Sequence, residues 1–201
     1  LREMDCTTFA ENCLAISRTI RSETPSFGRF AEELQHIRYR DGLIDGYPSR
    51  LHYFCDWIHN NQQKKRIADL YGQIPLQPLQ KEINFMSTHP NAYPRLKDAD
   101  SLVAVLARQE QKISAREMFF IPTSALPDVE DQLRDGDIVG ICTNIAGLAV
   151  SHVGILVRKS GRIHLIHASS QAEKVVVSQE SLLDYLTNRK SATGIMLARP
   201  L

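Results

Sequence analysis

The sequence has no hydrophobic run long enough to cross a membrane, and no apolar core of an export signal stands at its start. A helix that crosses a bilayer needs about 20 mainly apolar residues, so no membrane span is expected. The chain also lacks an excess of charge of either sign, because 24 lysines and arginines are balanced by 23 aspartates and glutamates. Binding of nucleic acid through bulk charge is therefore not expected.

Cysteine is scarce as well, with four in 201 residues: Cys6, Cys13, Cys55 and Cys142. So few cysteines do not form the disulfide framework of a small secreted domain. Cys6 and Cys13 stand seven positions apart on a predicted helix, a rise of roughly 10 Å, whereas a disulfide needs Cα atoms within about 7 Å. We expect these two thiols to stay unpaired.

Hydrophobic residues recur every three or four positions in the first half of the chain, which predicts amphipathic helices. The predicted helices lie at about 6–20, from about 26, after Ser49 and at about 98–114. Asp5 stands at the N-cap position of the first. Its inward face is predicted to carry Phe9, Cys13, Ile16 and Ile20. Residues 72–97 contain four prolines and two aromatic residues, which predict a long connection that packs on the domain.

The second half contains short β-branched or apolar runs bounded by turn residues, a pattern that predicts strands. The predicted strands are 119–121, 137–143, 151–158, 162–168, 174–178 and 194–198, with a helix over about 179–187 before the last. Helices followed by an antiparallel sheet form an α+β arrangement. We see no linker that divides the chain, so a single domain over 1–201 is expected.

Cys6 lies in the first turn of the first predicted helix. There, unpaired backbone N–H groups and the positive end of the helix dipole favour the thiolate, which is the nucleophilic form. This position therefore predicts a thiol with a lowered pKa that can attack a carbonyl. The alternative is that Cys6 is a small buried side chain, as expected for Cys13 and Cys55.

Two histidines fall on neighbouring predicted strands. Strand alternation places His152 and Gly154 on one face, and the glycine is expected to leave space beside the imidazole for a substrate or a helix end. A hairpin across 159–162 makes His152 and His167 neighbours. Cys6 would then attack, His152 would move the proton, and His167 would orient His152. This hypothesis requires the Cys6 sulfur to lie within hydrogen-bond range of His152.

Further polar residues are predicted to surround this site. They are Asp5, Thr7, Tyr53, Asn144 and Ser151. Thr7 would border an oxyanion pocket formed by backbone N–H groups at the helix tip. Asn144 and Ser151 flank the loop that leads into the strand of His152. Tyr53 and Trp57 are four positions apart, a spacing that suits either a sugar platform or a buried core.

Two other hypotheses stay open at this point. Two residue sets have spacing compatible with zinc: Cys6 with His152 and His167, and His52 with Asp56 and His59. Neither set includes a C-x-x-C or H-E-x-x-H motif, so no metal and no organic cofactor are expected. The second hypothesis is a binding module for glycans or peptides without catalysis, although such a module needs neither the cysteine nor the two histidines.

Six strings of the sequence together resemble one family. They are M-D-C-T-T-F-A-E-N-C-L-A (4–15), S-R-L-H-Y-F-C-D-W-I (49–58), N-F-M-S-T-H-P (84–90), D-G-D-I-V (135–139), S-H-V-G-I-L (151–156) and I-H-A-S (166–169). The chain is similar, over nearly its whole length, to the N-acetylmuramoyl-L-alanine amidase-like family within the NlpC superfamily of papain-fold cell-wall cysteine peptidases.

The resemblance implies a papain-like fold and hydrolysis of the amide between N-acetylmuramic acid and L-alanine in peptidoglycan fragments (muropeptides). It also implies a triad of cysteine, histidine and a polar residue, which matches Cys6, His152 and His167. From such a substrate we expect an exported protein of the periplasm or cell envelope. We also expect a monomer. An endopeptidase that cuts between D-glutamate and the diamino acid of the stem peptide is the alternative, because the same triad serves both reactions.

Overall fold

Residues 4–201 are described by a computed structural model, in which most helices precede most strands. Within this range there are seven α-helices and seven β-strands. The helices are α1 (Cys6–Ile20), α2 (Phe27–Arg38), α3 (Phe54–Gln63), α4 (Phe85–Thr88), α5 (Asp100–Ser114), α6 (Leu126–Val129) and α7 (Leu182–Thr187). The strands are β1 (Gln77–Pro78), β2 (Phe119–Pro122), β3 (Ile138–Thr143), β4 (Val150–Lys159), β5 (Arg162–Ser169), β6 (Lys174–Val177) and β7 (Ala192–Ala198).

All seven strands form one sheet in the order β1-β2-β7-β3-β4-β5-β6, and every neighbouring pair is antiparallel. The last strand therefore enters the middle of the sheet, between β2 and β3. The strands β3 to β6 form a meander, as expected from the turn residues between them. The α+β class is confirmed.

The sheet separates two hydrophobic clusters. On one face, Ile138 and Val153 pack with the core residues of α1, α3 and α5. On the other face, Val139 and Leu156 pack with α6 and α7. Every residue of β3 is buried, because both faces of this central strand are covered.

Helix α1 has the predicted bounds, but the predicted inward face is wrong. Ile16 and Ile20 are 47% and 69% exposed. The buried apolar residues of this helix are instead Ala10, Leu14 and Ala15. Two alanines on the packed side allow the helix to approach its neighbours closely, which a count of large apolar residues does not reveal.

The rotation of α1 also serves a buried carboxylate. Glu11 is 1% exposed, and its Oε2 lies 2.7 Å from Nε of Arg38 and 3.5 Å from Nη1 of Arg50. A buried carboxylate needs such partners, and losing them costs several kcal/mol. The face that carries Glu11 therefore turns inward, towards arginines that lie far away in the sequence.

Other boundaries differ by a few residues. Helix α3 starts at Phe54 rather than directly after Ser49, because Arg50 and Tyr53 have extended backbone angles and Arg50 pairs with Tyr39 in an isolated antiparallel bridge. The connection over 72–97 does pack on the domain as predicted, since Ile83, Met86 and Leu96 within it are buried. None of the helices described in 4–201 has the length and hydrophobicity of a membrane span.

Candidate active site

Cys6 is the first residue of α1, at a helix end that is capped as predicted. Asp5 has extended backbone angles, and its Oδ1 accepts a hydrogen bond of 2.6 Å from the backbone N–H of Thr8. This is the geometry of an N-cap. The cap fixes where the helix begins and so holds the Cys6 sulfur at the first turn.

A β-bulge precedes His152 on β4. In the pairing with β3, Ile141 is opposite His152 but Cys142 is opposite Val150, so Ser151 is an extra residue on β4. Bulges bend a strand and re-aim the neighbouring side chain, and they are frequent beside active sites. Here the bulge leaves Ser151 exposed at the rim and sets the direction of His152.

His152 and His167 are hydrogen-bonded neighbours, as the hairpin predicted. Nε2 of His152 lies 2.7 Å from Nδ1 of His167, and the two rings are perpendicular. The space expected at Gly154 is not open to a substrate. A Cβ atom at this glycine would lie 2.4 Å from Cδ1 of Leu165, so the side chain of Leu165 fills the gap.

Cys6 and His152 together border two pockets. The larger has a volume of about 560 Å³ and includes Asp5, Glu173 and Lys174 in its lining. The smaller, of about 80 Å³, is lined in addition by Thr7, His52, Ser151 and apolar groups. Both residues thus border both pockets. Within the described residues, the hydrogen bonds of the Cys6 sulfur come from the backbone of Val153 and from Thr7, and none with His152 is formed in the resting site.

The predicted lowering of the Cys6 pKa is not found. Burial raises the pKa of the thiol, and the opposing hydrogen bonds, from the backbone of Val153 and then from Thr7, only partly offset it. The Asp5 carboxylate adds to the rise because it disfavours a second negative charge. In the resting site desolvation therefore outweighs the helix tip, and Cys6 is a neutral thiol.

The two imidazoles are also neutral near pH 7. Burial is the main cause that lowers the pKa of His152 to about 4, and positive charge at His167 and Arg189 adds to it. Burial, followed by the charge of Arg189, lowers the pKa of His167 as well. The neutral imidazole is the form of a histidine that can accept a proton.

Sequence reasoning missed two residues beside His167. The ring of Tyr185 on α7 meets the His167 ring edge to face, with centroids 5.6 Å apart. The guanidinium carbon of Arg189 lies 3.3 Å from the centre of the Tyr185 ring. Neither residue belongs to a motif, and only the packing of α7 against the sheet brings them to the site.

The remaining predicted residues divide into two groups. Asp5, Thr7, Tyr53 and Ser151 border the pockets, as expected. Asn144 does not line either pocket within 4–201, and its backbone N–H instead donates to the carbonyl of Ser191 at 3.0 Å. It therefore belongs to the contact between the β3–β4 loop and the start of β7.

Tyr53 does not form a sugar platform with Trp57. Tyr53 is 6% exposed, and its hydroxyl donates to Oε1 of Glu110 at 2.5 Å and accepts from the N–H of Met86 at 2.8 Å. Trp57 is 1% exposed and stacks on Phe54. Both rings are too buried for a platform, which needs an accessible ring face, although Tyr53 does line part of the small pocket.

Neither proposed zinc set is assembled, since the described part of the chain holds no group of three or more ligand side chains around one point. His52 precedes α3, and its Nε2 binds the carbonyl of Tyr47 at 3.0 Å. Asp56 is paired with Arg40 and Arg116 at 2.7 and 2.6 Å. The carboxylate is thus already neutralised by two arginines.

The chain is similar to a known protein family and to several solved structures. The family model described as N-acetylmuramoyl-L-alanine amidase-like matches residues 1–195. A solved N-acetylmuramoyl-L-alanine amidase from Bacteroides uniformis is 40% identical, with a TM-score of 0.93 over 98% of this chain and 85% of that one. A structure described as a putative xylanase from Bacteroides fragilis is 42% identical, with a TM-score of 0.91 over 97% of this chain and 86% of that one.

A more distant match concerns the fold alone. A Legionella pneumophila protein of the DUF1460 family is 22% identical, with a TM-score of 0.72 over 98% of this chain and 75% of that one. The comparison with curated protein sequences found no match.

Proposed function

The chain belongs to the N-acetylmuramoyl-L-alanine amidase-like family, and from this premise we propose that it is a cysteine amidase acting on peptidoglycan fragments. The bond cleaved is the amide between the lactyl group of N-acetylmuramic acid and L-alanine. The observation that supports this most is the shared position of Cys6 and His152 at the border of both pockets, with His167 bound to the far side of the His152 ring.

The proton states of the site define the first step. In the proposal Nε2–H of His152 donates to Nδ1 of His167, which leaves Nδ1 of His152 free to accept the thiol proton. The sulfur of Cys6 then attacks the lactyl carbonyl carbon, and the carbonyl oxygen becomes negatively charged. Backbone N–H groups at the start of α1, those of Cys6 and Thr7, are the proposed donors to this oxyanion.

The second half of the cycle reverses the proton movement. The imidazolium of His152 donates its proton to the alanine nitrogen, the C–N bond breaks and the peptide leaves with a free amine. A water molecule, deprotonated by His152, attacks the thioester and releases the sugar with a free lactyl carboxylate. His167 holds the ring orientation in both halves.

The two pockets suit the two sides of this bond. A stem peptide carries carboxylates and amines, and the larger pocket offers Lys174 together with Asp5 and Glu173. The smaller pocket, of about 80 Å³, is too small for a sugar ring but accommodates a methyl group such as that of the lactyl unit. The proposal therefore places the peptide in the larger pocket and the lactyl methyl in the smaller one.

A helix that begins at the nucleophile and packs on an antiparallel sheet carrying the histidines supports a papain-like fold of the NlpC type, which is part of the proposal. Such a fold acts as one domain, and we propose a monomer that needs no cofactor. Its place of action would be the periplasm or cell envelope, because peptidoglycan is there.

The test is incubation with a defined muropeptide, N-acetylmuramic acid carrying a tripeptide, followed by mass spectrometry of the products. An amidase releases the intact tripeptide and a sugar with a free lactyl group. A shortened stem that stays on the sugar would show the endopeptidase instead, and an unchanged substrate would favour a binding module. Cys6→Ala should abolish cleavage, whereas Cys13→Ala, the matched control on the same helix, should not.

A further inference from the structure

Arg189 and Tyr185 form a support for the histidine pair on its His167 side. The Arg189 guanidinium stacks on the Tyr185 ring at 3.3 Å, and its Nη1 donates to the backbone carbonyl of Tyr185 at 2.8 Å. Glu180 holds the same nitrogen at 3.0 Å. The Tyr185 ring, 5% exposed, then contacts the edge of His167, which binds His152.

This chain of contacts restricts His167. A histidine ring that has only one hydrogen bond can rotate about its χ2 torsion, but the Tyr185 ring occupies the neighbouring space. Tyr185 is in turn clamped by a planar cation, an arrangement that lysine cannot reproduce because its ammonium group lacks a flat face. The orientation of His167 therefore depends on Arg189, which acts on it through the Tyr185 ring.

Several charged or titratable groups face the histidine pair. They are Asp5 and Cys6 at the tip of α1, Glu173 and Lys174 at the β5–β6 turn, and Tyr185, Arg189 and Glu180 around α7. Two of these are permanent cations. Lys174 lines the open pocket, where water screens it, whereas Arg189 is held in place by Glu180 and Tyr185.

We propose that Arg189, acting through Tyr185, is a positioning residue that fixes the ring of His167 and places a positive charge beside the His152–His167 pair. The inference rests on the proposed function, because it concerns the base of that reaction. An uncharged pair is required if His152 is to accept the proton of a neutral thiol. Burial is the main cause that lowers the pKa of both His152 and His167, and the Arg189 charge adds to it in the same direction.

The experiment compares Arg189→Gln, Arg189→Lys and the control Arg162→Gln, which removes an exposed arginine paired with Glu130 away from the site. Imidazole titrations are followed by NMR, with the signals assigned through His152→Asn and His167→Asn. In Arg189→Gln we expect both rings to titrate at higher pH by roughly half a unit. The acid limb of kcat/KM on the muropeptide should move the same way, and kcat should fall about tenfold with KM almost unchanged.

The other two variants separate charge from stacking. Arg189→Lys should keep the titration of the wild type but lose part of kcat, since the charge remains and the planar stack does not. Arg162→Gln should match the wild type in both measurements. Unchanged histidine titration in Arg189→Gln, or a rise in KM alone, would overturn the inference. The NMR arm stands even if the muropeptide is not cleaved, so failure of the proposed function is seen separately.

Discussion

His52 and His152 both line the small pocket beside Cys6, and burial lowers the pKa of each to about 4. Their partners differ. Nε2 of His52 binds the backbone carbonyl of Tyr47, which can only accept, whereas Nε2 of His152 binds the imidazole of His167, which can accept or donate. Burial and a lowered pKa are therefore common to the two histidines, and the hydrogen-bond partner is what distinguishes them.

The largest difference should appear when each histidine is removed. His152→Ala should lower kcat by about 10²- to 10⁴-fold, because it removes the base that the proposed mechanism assigns to the Cys6 thiol. Steady-state kinetics on the muropeptide measure this, with circular dichroism to show that the variant is folded. Retention of more than about a tenth of wild-type kcat would contradict the role given to His152.

The next largest effect is expected at His167, the hydrogen-bond partner of His152. His167→Ala should reduce kcat by about a hundredfold, since His152 then loses the group that holds its tautomer. His167→Asn, whose side-chain oxygen can accept from Nε2–H of His152, should recover part of this loss. Equal activity of the alanine and asparagine variants would show that the hydrogen bond of 2.7 Å does not orient the base.

His52 should matter for stability rather than for the reaction. A histidine whose pKa is lower in the folded state stabilises the fold above its unfolded pKa of about 6.5, and this contribution is lost as the pH falls towards 4. His52→Gln can still donate to the Tyr47 carbonyl but does not titrate. Urea unfolding between pH 7 and 4.5 should therefore show a weaker loss of stability in His52→Gln, while kcat at pH 7 changes less than about tenfold. The same loss of stability as in the wild type would rule out His52 as the titrating group.

The smallest effect on activity is expected at the neighbouring residue Tyr53. Tyr53→Phe removes the hydroxyl from Glu110, although Oε1 of that carboxylate keeps the N–H groups of Met86 and Ser87. The cost should be about 1–2 kcal/mol of unfolding free energy. The KM for the muropeptide should stay within about twofold of the wild type. A tenfold rise in KM would instead support the hypothesis that Tyr53 contacts the sugar.

Local sequence patterns correctly predicted the features that depend on residues close together in the chain. The N-cap at Asp5 and the neighbouring positions of His152 and His167 follow from helix capping and from strand period with a short turn. The prediction of the inward face of α1 was wrong because Glu11 turns the opposite face inward, towards Arg38. This partner lies 27 positions away in the sequence, where no periodicity reveals it.

The protonation of Cys6 was also predicted wrongly, for a related reason. The helix tip is a local feature, but the burial of the thiol depends on the core cluster against which Cys6 packs, and that cluster comes from several distant segments. The contact of Tyr185 with His167, and of Arg189 with Tyr185, could not be predicted from the sequence because both depend on how α7 packs against β5.

The central claim is that Cys6 forms an acyl intermediate with the lactyl carbonyl of the muropeptide. Rapid acid quenching during turnover, followed by mass spectrometry of the intact protein and of its peptides, tests it directly. The account predicts a muramoyl thioester on the peptide that contains Cys6, with free stem peptide in solution and no adduct in Cys6→Ala. An adduct that carries the stem peptide, or full cleavage by Cys6→Ala, would contradict it.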